Sequence, residues 1–119
     1  VAYDDPQGVS AAFAKNVLHV MNRELGAEFD ENDFEYVARW DADNEWIDMG
    51  LRSRWAQTVH IAELGLDVSF EKGEIMRNEV SSKFDTEVFT EELAAVGLEV
   101  VEWYHDPERD FGVSLSIVR

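Results

Sequence analysis

Between Val9 and Leu25, apolar residues fall at Val9, Ala12, Phe13, Val17, Val20, Met21 and Leu25, the three-and-four spacing of a helix with one apolar face. Pro6 suits its first turn and Gly26 its end. Asp30 can cap a second, short helix over residues 31–36, with Phe34 turned inward. Beyond it the period shortens to two. Trp46, Asp48 and Gly50 alternate with their neighbours, as do Val59 and Ile61, then Leu66, Val68 and Phe70, and turn-forming residues separate the runs at 41–44, 63–65 and 71–73. Residues 36–84 therefore predict a meander of antiparallel strands with one wet face. Asp85 or Thr86 caps a last helix that ends at Val96 and Gly97, and strands over 98–104 and 111–118 flank a loop at 106–110.

Composition adds exclusions. The 119 residues, 45% of them hydrophobic and including Trp40, Trp46, Trp55 and Trp103, can fill the core of one domain. Ten basic residues against 26 acidic ones leave a net charge of −16, which repels nucleic acid and anionic membrane surfaces. With no cysteine, neither a disulfide framework, a thiolate metal site nor a cysteine nucleophile is available, and a reducing cytoplasm is the simplest home. No apolar run reaches the roughly 18 residues of a membrane span, and residues 1–7 carry acids where a signal peptide carries bases. The chain opens without Met and runs almost at once into a strong helix, the expected start of a chain cut from a longer protein.

The chemistry-bearing residues mostly have structural readings. A nucleotide or methyl-donor site needs a glycine-rich turn after a strand, yet no two of the seven glycines lie two residues apart. Asp41, Asp43 and Glu45 imitate the start of a calcium loop, but Trp46 stands where the loop needs glycine and Arg52 where it needs glutamate, so a solvated hairpin turn is expected. His19, His60 and His105 lack metal-ligand spacing and read as helix-surface, strand and loop residues. Ser10, Ser53, Ser81, Ser82 and Ser114 have no nucleophile elbow around them. Glu79 and Ser81, two apart in a predicted strand, share a face. A carboxylate and a hydroxyl so placed could hold a ring with two nitrogens, or simply form an exposed polar face.

Longer motifs carry a resemblance. Residues 3–13, Tyr-Asp-Asp-Pro-Gln-Gly-Val-Ser-Ala-Ala-Phe, then Asn16-Val17-Leu18 and residues 22–30, Asn-Arg-Glu-Leu-Gly-Ala-Glu-Phe-Asp, resemble the histidine-specific, S-adenosylmethionine-dependent methyltransferase family. Trp46-Ile47-Asp48-Met49, the run from Glu79 to Phe84, and Asp106-Pro107-Glu108-Arg109 extend the likeness over nearly the whole chain. The closing helix, strand, loop and strand likewise resemble the end of a Rossmann-like methyltransferase fold, whose last strand returns antiparallel. The implied fold class is α/β, mixed α+β in this stretch: the C-terminal part of that fold with an antiparallel, β-rich substrate lobe. It comprises a helical segment (1–35), antiparallel strands (36–84), and a helix with terminal strands (85–119).

The best-known members of that family trimethylate the α-amino group of histidine to give hercynine in ergothioneine biosynthesis. Carried over, the resemblance implies that Tyr3 contacts the substrate carboxylate, that Glu79 and Ser81 bind the imidazole nitrogens, and that Met49 and Phe13 wall the substrate. Ser10 stands where Thr is usual and keeps the hydroxyl for a water-mediated contact near the amine. Ala14 replaces a more usual Asn. S-adenosylmethionine is then bound mainly by a segment absent from this chain, which alone is expected to be inactive and whose partners are L-histidine and the missing N-terminal half. The implied reaction is direct displacement of the sulfonium methyl by a neutral amine, so the residues here act by placement. Two other readings stand beside it: a stand-alone binding module without chemistry, and a family member methylating another amino acid. Strands whose partners lie outside the chain have exposed edges that invite self-association.

Overall fold

Helix α1 covers Val9–Leu25, as the spacing predicts, but its apolar residues serve two surfaces. Ala14 and Leu18 are buried in the core, with Met21 and Leu25 packed beside them. Val9, Phe13 and Val17, one turn apart, form a second stripe that stays 66%, 76% and 39% exposed. Pro6 lies ahead of the helix, and the first N–H groups are met by Asp5, whose carboxylate accepts from the backbone of Val9 at 3.0 Å and of Ser10 at 2.8 Å. At the other end Gly26 adopts a left-handed conformation (φ 60°) that turns the chain back under the helix. Asn22 fastens that return, donating to the Phe29 carbonyl and accepting from the Phe29 N–H.

The computed structural model describes residues 2–119, which divide into two units, 2–82 and Lys83–Arg119. In the first, Asp30 caps only a single 3-10 turn, Glu31–Asp33, and strand β1 begins at Phe34 and runs to Asp41. Residues 34–36, expected in a short helix, are therefore extended: Phe34 and Tyr36 bury one face of a sheet, and tertiary burial overrides the local helical reading. Strands β2 (Trp46–Ser53) and β5 (Ile75–Ser82) complete an antiparallel sheet in the order β1-β2-β5, while β3 (Gln57–Ile61) and β4 (Leu66–Phe70) form a separate hairpin inserted between them. The expected meander is thus interrupted. Nor does β2 have a wet face: as the central strand it buries Asp48 and Gly50 on one side and Met49 and Leu51 on the other.

The core of this unit joins α1 to both sheets. Leu18, Phe34 and Leu51 are completely buried, and Phe29, Phe34 and Phe70 meet with ring centres 5.4–6.3 Å apart. Each such side chain stabilises by roughly 1.5–3 kcal/mol through burial. Asp41 closes the β1–β2 turn, accepting from the backbone of Asp43 and Asn44, which accounts for the acidic cluster as turn chemistry. His19 lies on the helix surface 3.2 Å from Glu31, and His60, in β3, bonds Asp67 across the hairpin at 2.6 Å.

In the second unit Asp85 caps helix α2 (Thr86–Ala95) by accepting from Glu87 and Val88, and strands β6 (Leu98–His105) and β7 (Gly112–Val118) pair antiparallel. Trp103 packs against Phe89 of α2 and donates its indole N–H to Thr90. His105, expected in the loop, closes β6 with its ring stacked on Trp103, because residues two apart on a strand share a face. Among the described residues every strand pairing is antiparallel, and no helix is long and apolar enough to cross a membrane.

Candidate functional site

Strand β5 is irregular where the site forms. Its pairing with β2 places Glu79 opposite Met49 and Ser81 opposite Ile47, then skips Asn78 so that Arg77 faces Gly50 and Met76 faces Leu51. Asn78 is the extra residue of a β-bulge. Met76 and Glu79 are three apart and would point to opposite faces of a regular strand; the bulge turns both toward the face that α1 covers. The Asn78 side-chain amide donates to the Ala14 carbonyl of α1 at 2.9 Å and ties helix to bulge.

Between α1, the segment before it and this sheet face lies a cleft of about 690 Å³. That is within the size range of about 300–1,000 Å³ usual for small-molecule sites. Helix α1 contributes Val9, Ser10, Phe13, Ala14, Asn16, Val17 and Met21; the sheet contributes Tyr36, Met49, Met76, Arg77, Asn78 and Glu79; the segment before α1 contributes Tyr3. The exposed stripe Val9, Phe13, Val17 is the apolar wall of this cleft. Five of the six residues singled out in the sequence, Tyr3, Ser10, Phe13, Met49 and Glu79, meet here. The sixth, Ser81, does not line the cleft but shares a hydrogen bond of 3.0 Å with the Tyr3 hydroxyl. Sequence reasoning missed Tyr36, Met76 and Asn78. Tyr36 is two residues from the inward-facing Phe34 and is found at once if residues 34–36 are read with period two.

The electrostatics of the two sheet faces differ. On the face away from the cleft, Asp48 is buried and accepts from Arg77 through two bonds of 3.0 Å and from Arg39 at 3.3 Å; the hydrogen bonds from Arg77 are the largest influence holding its carboxyl below the usual range. Arg77 also sits 5.7 Å above the Trp46 ring. On the cleft face the Glu79 carboxylate makes no hydrogen bond or ion pair among the described residues. Tyr36 donates its hydroxyl to the Tyr3 carbonyl at 2.6 Å. Burial, then the charges of Asp4, Glu79 and Asp5, push its pKa above the ordinary phenol value, so the proton stays in place to be donated.

A model of the family described as histidine-specific methyltransferase, SAM-dependent, matches residues 1–118. The chain belongs to this family. It is 53% identical over 116 residues to histidine N-alpha-methyltransferase of Mycolicibacterium smegmatis and 50% identical over 115 residues to the protein of that name from Mycobacterium tuberculosis, matches that cover 98% and 97% of this chain. A shorter stretch of 44 residues, 36% of this chain and 6% of the relative, is 46% identical to ergothioneine biosynthesis protein 1 of Schizosaccharomyces pombe. The chain spans 36% of the length of each of the first two relatives. Parts of the motifs that signal this methyltransferase family are architectural. Asn22, Gly26 and Phe29 build the return after α1, and Asp5 caps the helix, whereas Tyr3, Ser10 and Phe13 reach the cleft. Ala14 is buried beside Leu18, where an apolar side chain packs without needing a partner.

Proposed function

We propose that this chain is the substrate-binding, C-terminal part of an enzyme that transfers methyl groups from S-adenosylmethionine to the α-amino group of L-histidine, forming hercynine. The observation that carries the reading is the convergence in one cleft of Tyr3, Ser10, Phe13, Met49 and Glu79, with Ser81 bonded to Tyr3. Glu79, uncommitted to any other side chain, accepts an imidazole N–H. Phe13 and Met49 supply apolar contact to the ring. Tyr3 and Ser81 exchange the bond they share for bonds to the substrate, Tyr3 to its carboxylate and Ser81 to the second ring nitrogen.

The N-termini of α1 and α2 are already filled by the carboxylates of Asp5 and Asp85, and among the described residues no glycine-rich turn joins a strand to either helix. In this reading S-adenosylmethionine is bound mainly by a segment outside this chain. When bound it supplies an electrophilic methyl group; the residues here fix where the amine stands, and orientation is the source of rate available to them. A benzene ring in place of imidazole leaves Glu79 and Ser81 unpaired, at a cost of roughly 1–3 kcal/mol each.

The test is calorimetric titration of L-histidine into the full-length gene product containing this chain, with and without S-adenosylhomocysteine, repeated with Glu79→Ala. The expected result is binding that Glu79→Ala weakens by tenfold or more, on the order of the ~1–3 kcal/mol of a lost charged hydrogen bond, with donor-product affinity kept. Equal weakening of both ligands refutes the role of Glu79, and absence of L-histidine binding to the unaltered protein refutes the substrate.

A further inference from the structure

Tyr3 belongs to no helix or strand, yet the proposed function requires its hydroxyl to be aimed. The later half of its segment is well fastened: Gly8 donates to the Asp5 carbonyl at 3.0 Å, and the Asp5 carboxylate holds the first N–H groups of α1. These bonds fix residues 5–10 to the helix but do not reach Tyr3. One bond that reaches its backbone comes from the sheet. Tyr36 stands on β1 opposite Leu51, which is fully buried in the central strand, so its ring rises from a base that cannot shift without disturbing the core. Its hydroxyl crosses 33 positions of sequence to donate to the Tyr3 carbonyl at 2.6 Å. With the carbonyl held there, the Tyr3 side chain reaches Ser81 on β5 at 3.0 Å. The three residues form a chain of contacts from β1 through the segment to β5 at the cleft.

We propose that Tyr36 is a positioning residue for ligand recognition: its hydroxyl pins the Tyr3 backbone so that the Tyr3 hydroxyl is presented to Ser81 and to the cleft. The proposal rests on the functional reading above. Tyr36 acts through Tyr3, because its single donated proton is spent on the Tyr3 carbonyl and is not offered to the ligand. A phenylalanine at position 36 keeps the ring and its packing, so it removes the pin alone.

The experiment uses the full-length gene product with Tyr36→Phe, Tyr3→Phe and the double variant, and reads kcat and KM for L-histidine together with amide hydrogen exchange over residues 2–8. Tyr36→Phe is expected to raise KM by about three- to tenfold, the effect of one net hydrogen bond, with kcat changed by less than about twofold. Exchange in residues 2–8 should quicken while the sheet keeps its protection. In the double variant KM should stay within about twofold of Tyr3→Phe alone, since residues acting through one contact are not additive. Multiplying effects would mean that Tyr36 touches the ligand directly and would overturn the proposal, as would an unchanged KM in Tyr36→Phe. If the unaltered protein neither binds nor methylates L-histidine, the functional reading fails before any variant is compared. Exchange over residues 2–8 then still decides the pin, and unchanged exchange in Tyr36→Phe overturns it.

Discussion

Gly50→Ala should damage the site from a position that never touches a ligand. Gly50 lies in β2 beside the bulge, and a Cβ built on it stands 2.6 Å from Ile75 Cγ2, 2.8 Å from the Met76 carbonyl oxygen and 3.4 Å from Arg77 Cα. Ordinary non-bonded separations are roughly 3.5–4 Å, so the first two contacts are short by about 1 Å. The Ile75 side chain can turn aside, but the Met76 carbonyl and the Arg77 Cα are backbone, and relieving them requires β5 to move away from β2. Overpacking of this kind costs about 1–3 kcal/mol. Because Asn78 and Glu79 follow directly on the displaced segment, the movement should also loosen the tie to Ala14 and shift the Glu79 carboxylate. Urea unfolding of the full-length gene product should show a midpoint lowered by roughly 0.5–1.5 M at an unchanged slope, taking a slope of about 2 kcal/mol/M. L-histidine affinity should fall in parallel. A Gly50→Ala protein with the original midpoint and the original affinity would refute the claim that close β2–β5 approach at the bulge builds the cleft.

Two further outcomes follow from local geometry. Hydrogen bonds from the Ser10 and Val9 N–H groups hold the Asp5 carboxyl down at about 2, below the unfolded value of about 4, so its stabilising effect is complete above pH 4 and is lost as pH falls toward 2. Acid unfolding followed at the start of α1 by hydrogen exchange should therefore show loosening in that window, and Asp5→Ala should show it already at neutral pH; identical acid limbs for the two proteins would refute the assignment. Ser53, 1% exposed, donates to the Trp55 carbonyl and accepts from the Gln57 amide, both at 2.7 Å. Ser53→Ala leaves two polar groups without their partner and should destabilise by about 1–3 kcal/mol in thermal or urea unfolding, whereas a loss below about 0.5 kcal/mol would mean that water takes its place.

The boundary between what was legible in the sequence and what was not follows the range of the interactions. Helix α1, its stop at Gly26, the three turns, the Asp85 cap and the closing hairpin are all visible in the chain itself, because periodicity, capping and turn chemistry act over a few residues. The shared face of Glu79 and Ser81 was legible for the same reason, and the long motifs carried the family. Residues 31–36 misled because Asp30 and the acids after it favour a helical turn locally, while the burial that makes Phe34 and Tyr36 a strand comes from Leu51 and Ser53 on β2. The buried carboxylate of Asp48 was hidden likewise: nothing near it in sequence reveals that Arg77, 29 positions on, will neutralise it.

The cleft itself was decided by tertiary structure. Tyr3, Tyr36 and Glu79 meet only when the segment before α1, the first strand and the fifth strand are folded together, and the division of the apolar residues of α1 between core and cleft wall depends on which elements lie against each side. The bulge at Asn78 is the clearest case. Sequence determines that residues two apart share a strand face, a property of one backbone; whether residues three apart do so depends on how that backbone pairs with its neighbour, here on Gly50 in the facing strand. Met76 in the core and Glu79 in the cleft look the same way only because two strands, brought together by folding, pair with one residue left over.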